Sequence, residues 1–158
     1  MSKNLHQLVQ MNRRQALKAA GAGVVALGFA STAHATPEDT AKALSKATGG
    51  AHAMAGSAKV TIKLPEIAEN GAVVPYTVSV DSPMTDADHV KHIHVFAEGN
   101  PDPEVISFNL TPANGKAEVS SRLRLAKTQN VVVAAVMSDG SVHTNSKEVK
   151  VTIGGCGG

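Results

Sequence analysis

The chain has 158 residues, the size of one ordinary domain, with 18% charged residues and a formal net charge of +2. Four of its 15 Lys and Arg residues (Lys3, Arg13, Arg14 and Lys18) lie in the first 35, so the rest carries 11 basic against 13 acidic residues. That remainder has no basic excess and no Trp, and its aromatic residues are Tyr76, Phe96 and Phe108, so nucleic-acid binding has neither its electrostatics nor its stacking platforms.

The first 35 residues have the pattern of an export leader. M-N-R-R-Q-A-L-K is a positive stretch, A-A-G-A-G-V-V-A-L-G-F-A a short apolar one, and A-H-A a small-residue cleavage signature. Adjacent Arg13 and Arg14 mark a twin-arginine signal, with Leu17 and Lys18 in keeping and Ala16 where such signals often carry Phe. Cleavage is expected after Ala35. A general secretory signal is the alternative, and either route gives a periplasmic protein. The apolar residues 19–30 fall short of the ~20 that a bilayer span needs, so no membrane role is expected.

Next, T-P-E-D-T-A-K-A-L-S-K-A-T-G-G predicts a short helix. Thr36 suits the cap, Pro37 the first helical position, Glu38 and Asp39 the first turn, and Gly49 the stop. A-H-A-M-A-G-S has no pattern and is expected to be a linker, so residues 36–57 form a helix-and-linker segment.

From Lys59 the apolar period is two. K-V-T-I-K-L sets Val60, Ile62 and Leu64 against Lys59, Thr61 and Lys63. V-P-Y-T-V-S-V, K-A-E-V-S-S-R-L-R-L and E-V-K-V-T-I alternate in the same way. V-K-H-I-H-V-F, E-V-I-S-F-N-L and N-V-V-V-A-A-V-M supply further strands. Turn signals stand between them: E-N-G, S-P-M-T-D-A-D, E-G-N-P-D-P, A-N-G and S-D-G. About seven strands over residues 58–153 predict an all-β, immunoglobulin-like antiparallel sandwich. The strand count carries that topology, since there is neither a cysteine pair nor a Trp.

Candidate chemistry is sparse. His92 and His94, as H-x-H on a strand, point the same way and could share a metal, with His89, His52 or His143 as further ligands. Three or four ligands must converge for a zinc or copper site, so solvated or partner-facing polar residues are the simpler reading. No G-x-S-x-G context singles out a hydrolytic nucleophile. Asp86 and Asp88 read as turn formers. Arg122 and Arg124 share a polar strand face and could attract an anion, although a solvated face explains them as well.

The chain closes on G-G-C-G-G, residues 154–158, with Cys156 its one cysteine. Gly154, Gly155, Gly157 and Gly158 offer no side chains to bury the thiol, and their wide φ/ψ range predicts a flexible arm. A lone thiol in an exported protein pairs between molecules or stays free and reactive. Dithiol redox chemistry within one chain is excluded for want of C-x-x-C. The carboxylate two residues on would raise the thiol pKa, so activation has to come from another protein's site. These features suit a covalent carrier rather than an autonomous enzyme, with no cofactor and no resident metal.

At this point the sequence resembles the SoxY family. The likeness runs through L-P-E-I-A-E-N-G (64–71), T-V-S-V-D-S-P-M (77–84), I-H-V-F-A-E (93–98), R-L-A-K-T-Q (124–129), M-S-D-G (137–140) and the terminal G-G-C-G-G. It implies that Cys156 carries sulfur intermediates of thiosulfate oxidation. A SoxAX-like haem enzyme would load it, a SoxB-like hydrolase would release sulfate, and a SoxCD-like dehydrogenase, where present, would oxidise the remaining sulfur. It also implies a SoxZ-like partner, in a heterodimer or heterotetramer, that travels through the twin-arginine route with this chain. Two alternatives stand beside it: a periplasmic metal-binding sandwich using His92 and His94, and an adaptor whose cysteine forms a disulfide with one partner.

Overall fold

The computed structural model describes residues 36–155; the expected leader with Arg13 and Arg14, together with Cys156, Gly157 and Gly158, lies outside them. The described chain begins with helix α1, Pro37–Ala47, where the sequence places it. Thr36 caps it: its hydroxyl accepts from the Asp39 N–H at 3.3 Å, while the Asp39 carboxylate accepts from the Thr36 N–H at 3.0 Å. This reciprocal box satisfies donors that a helix start otherwise leaves open. Gly49, with φ of +66°, ends the turn beyond it.

Nine strands follow. They are β1 (Ala53–Met54), β2 (Val60–Lys63), β3 (Ile67–Asn70), β4 (Val74–Val80), β5 (Val90–Ala97), β6 (Glu104–Asn109), β7 (Ala117–Leu123), β8 (Gln129–Met137) and β9 (Val142–Ile153). One sheet has the order β2-β4-β7, all antiparallel; the other has the order β1-β9-β8-β5-β6, with β3 also on β9. The fold is thus the expected mostly-β, immunoglobulin-like sandwich. The core between the sheets includes Val60, Val78, Ile93, Val95, Val133 and Val149, each at most 1% exposed.

Two strands exceed the expected count. β1 lies in the stretch expected to be linker, and β3 in the stretch ahead of the E-N-G turn. Both pair in parallel with β9, β1 at Ala53↔Val142 and β3 at Ile67↔Lys150. They are two and four residues long, too short to show a period, and their partner is some eighty residues away in sequence. β9 also starts earlier than the apolar alternation indicates. Its polar half is held by the main-chain ladder to β8, which runs from Val136↔Val142 to Gln129↔Val149.

A second apolar cluster lies on the opposite face of the larger sheet. Phe96, Ala134 and Val142 are fully buried there, packed by Ala43, Leu44 and Ala47 of α1. This explains the runs H-V-F-A and V-V-A-A, which are apolar on both faces. Phe96 is 0% exposed and joins the helix to the sheet. Phe96→Ala is therefore expected to lower stability by about 3–5 kcal/mol in urea titration.

Candidate functional site

Cys156 follows directly on a segment that is described, and that segment, residues 149–155, is held at several points along its length. β9 outruns β8: beyond Val149, the Val151 N–H donates to the Thr128 hydroxyl at 3.0 Å, and β3 pairs with the rest up to Asn70↔Ile153. The chain then enters a small three-chain ladder. The Gly71 N–H donates to the Ile153 carbonyl (2.7 Å), the Leu125 N–H to the Gly71 carbonyl (2.8 Å), and the Gly155 N–H to the Leu125 carbonyl (2.9 Å). The turn between β3 and β4 and the loop between β7 and β8 therefore both hold the last described residues.

The backbones approach too closely for side chains. A Cβ on Gly154 would strike the Ala126 carbonyl, and one on Gly155 the backbone of Gly71 and Ala72. A Cβ on Gly71 would strike the Leu125 carbonyl and lie 2.9 Å from both the Gly155 nitrogen and Val151 Cγ1. The sequence reading gives Gly154 and Gly155 to a flexible arm. In the structure both residues make close backbone contacts, with Ala126 and with Gly71 and Ala72.

A buried polar network supports the far wall. Asn100 and Gln129 are 8% and 7% exposed. The Asn100 side-chain amide donates to the Arg124 carbonyl at 2.8 Å, and its oxygen accepts from the Ala126 N–H at 3.0 Å and from Gln129 Nε2 at 3.1 Å. Gln129 Nε2 also donates to the Lys127 carbonyl, and its oxygen accepts from the Gly99 N–H at 2.6 Å. Together they fix the loop that carries Leu125 and Ala126. Sequence reasoning missed Gly71, Asn100 and Gln129; their types suit any surface turn, and their use depends on contacts far away in the chain.

The histidines do not converge. His92 and His94 lie side by side with ring centroids 5.9 Å apart. His92 Nδ1 donates to the Asn109 side-chain oxygen Oδ1 at 2.7 Å. His94 Nδ1 meets the Ser107 hydroxyl at 2.7 Å, and that hydroxyl donates to Glu104. The serine oxygen then accepts from Nδ1–H, and His94 Nε2 is left as an acceptor, buried without a partner. His143 pairs with Ser57 through its own Nδ1, and His89 through its Nδ1 with the Thr85 carbonyl. Among the described residues, no three His, Cys, Asp or Glu side chains are grouped to hold a metal. Asp88 belongs to a turn with Thr85. Arg122 lines a cleft, and the Arg124 carbonyl is bound by Asn100.

The family described as "Sulfur oxidation protein SoxY" matches residues 44–156, ending on Cys156. Among solved structures, the chain is similar to the sulfur carrier protein SoxY from Chlorobium limicola f thiosulfatophilum. That likeness has 38% identity and a TM-score of 0.64, and covers 75% of this chain and all of that one. A superoxide reductase (neelaredoxin) from Ignicoccus hospitalis shares the fold at 20% identity and a TM-score of 0.55, covering 63% of this chain and 94% of that one. A hypothetical protein from Pyrococcus horikoshii does so at 16% identity and a TM-score of 0.52, covering 66% and 98%. No curated protein sequence matches.

Gly71→Ala is expected to destabilise the fold by roughly 1–3 kcal/mol, because the Leu125 carbonyl it would meet is fixed in a ladder. An unchanged urea midpoint would refute the close contact. A second expectation concerns His94, whose pKa is lowered by burial, with Glu104 opposing and His92 adding to the shift. The unfolded chain takes up that proton near pH 6.5 and the folded one at lower pH, so stability falls as pH drops below about 6.5. Urea midpoints at about pH 7.5 and about pH 5.5 should therefore differ more in the wild type than in His94→Gln.

Proposed function

Because the chain belongs to the SoxY family of sulfur oxidation proteins, we propose that it is the covalent sulfur carrier of periplasmic thiosulfate oxidation, with Cys156 as the point of attachment. The observation that carries this reading is the site's construction. The one cysteine of the chain stands next to a glycine-packed root that hands it off beyond the sheet, with no side chain at Gly154 or Gly155 to block a client enzyme.

The chemistry needs only a thiolate from this chain. In loading, the Cys156 sulfur and the outer sulfur of thiosulfate form an S–S bond, and two electrons pass to a SoxAX-like haem enzyme. Water then attacks the terminal sulfonate under a SoxB-like hydrolase; sulfate leaves, two protons are released, and a persulfide remains on Cys156. A SoxCD-like dehydrogenase then takes six electrons from the outer sulfur while three waters supply its oxygens and six protons leave, and a second hydrolysis releases sulfate and restores the thiol. The chain itself is not an enzyme in this scheme: it presents the substrate, and activation comes from each client's site. A SoxZ-like subunit is its expected partner, and the leader with Arg13 and Arg14 its route of export.

Cys156→Ser is expected to abolish thiosulfate-dependent electron transfer in the reconstituted system, with the circular dichroism spectrum and SoxZ-like partner binding unchanged. Intact mass of the protein purified without reductant should show added sulfur or thiosulfate on Cys156, lost on reduction. Retained activity in the serine variant would sink the carrier reading.

A further inference from the structure

A cleft of about 900 Å³ opens where β2 parts from the β4–β7 ribbon. β2 pairs with β4 only as far as Lys63↔Thr77, whereas the β4–β7 ladder continues to Val74↔Leu123. Pro65 and Pro75 line the gap, and neither has an N–H with which to continue the ladder across it. The opening is therefore written into the sequence at two positions.

Its charge has one sign. Lys63 of β2, Arg122 of β7 and Lys147 of β9 line it, and no carboxylate does. Among the described residues none of the three forms an ion pair. Lys147 Nζ donates to the Leu64 carbonyl at 2.8 Å, which leaves two of its three donors. Tyr76 also lines the cleft; it is 3% exposed, and its hydroxyl is buried without a hydrogen-bond partner. Three cations from three strands line one cleft, and an anion bound there would engage their donors.

We propose that this cleft binds a small tetrahedral sulfur oxoanion, held by Arg122, Lys63 and Lys147. The oxoanion class follows from the cleft; that it is a sulfur oxoanion rests on the carrier reading. Two sources share this chemistry: free sulfate or thiosulfate, and the sulfonate end of a group carried on Cys156. Arg122 stands three residues from Leu125, whose carbonyl accepts from the Gly155 N–H, so the Arg122 and Leu125 backbone positions are at most about 11 Å apart and the last described residue adjoins the second of them.

The test is calorimetric titration of the full chain with sodium sulfate and with sodium thiosulfate at low ionic strength, where screening is weak. The chain is measured alone and in complex with the SoxZ-like subunit. Saturable binding is expected, about tenfold weaker in Arg122→Ala. It should also weaken in Lys63→Ala and remain unchanged in Arg124→Ala, whose side chain does not line the cleft. Equal binding by the Cys156→Ser chain supports the site and shows that it takes a free oxoanion. Loss of sulfate binding once Cys156 is S-sulfonated supports the site and identifies the tethered group as its occupant. Absence of saturable binding in the free chain, or equal affinity in Arg122→Ala, overturns the proposal. So does binding by the free chain that vanishes in the complex, since the cleft would then be a subunit interface. Cys156→Ser activity tests the carrier reading separately, so either idea can fail while the other stands.

Discussion

The end of β9 depends on a backbone contact that tolerates no side chain. Gly71 lies between the end of β9 and the loop after β7, accepting from Leu125 and donating to Ile153, while Gly155 completes the ladder on Leu125. Three segments distant in sequence meet at van der Waals limits, and each glycine is there because a Cβ would collide with main chain that cannot yield. The contact ties Gly155 to the core through β9. Val149 of that strand is 0% exposed between the sheets, and six residues later the chain reaches the clamp. A disturbance of the core would therefore reach the last described residue.

How much of this the sequence reveals depends on whether a residue's use is local. β4 and β7 each bury one face, so the period of two in V-P-Y-T-V-S-V and K-A-E-V-S-S-R-L is plain. β5 and β8 bury both faces beneath α1 and opposite the smaller sheet, and their continuous apolar runs say so. The capping box at Thr36 and Asp39 is equally local. β1 and β3 are not legible, because their stability comes from parallel pairing with a strand at the far end of the chain. The E-N-G turn is only half legible. Asn70 does make the turn, accepting from the Ala72 N–H at 2.8 Å. Yet Gly71 is required by residues 125 and 155, and no local pattern records that.

The same distinction applies to the polar residues. H-x-H is conspicuous in the sequence, yet His92 and His94 turn their Nδ1 atoms to Asn109 and Ser107 on β6 and leave no third ligand nearby among the described residues. Asn100 and Gln129 are inconspicuous, and they hold the loop on which the arm root rests. Buried amides of this kind are costly unless their partners are present, and here three of the five hydrogen bonds go to backbone groups of the one loop, at Arg124, Ala126 and Lys127. The shape of that loop is thereby specified more tightly than its exposed residues suggest.

An ordered root has a consequence for the carrier role proposed above, in which one thiol would serve several enzymes. Each encounter would have to order the chain it engages, at about 1–2 kcal/mol of backbone entropy per residue. With Gly154 and Gly155 already packed on Ala126, Gly71 and Leu125, that cost would be smaller at every client. In that role the root would raise the effective concentration of a carried group at a nearby site. An anionic adduct beside a cationic cleft would benefit from the same proximity. The attraction would have to stay weak for the adduct to leave again, and the open, water-accessible form of the cleft, with long and screened Lys and Arg side chains, favours that weakness.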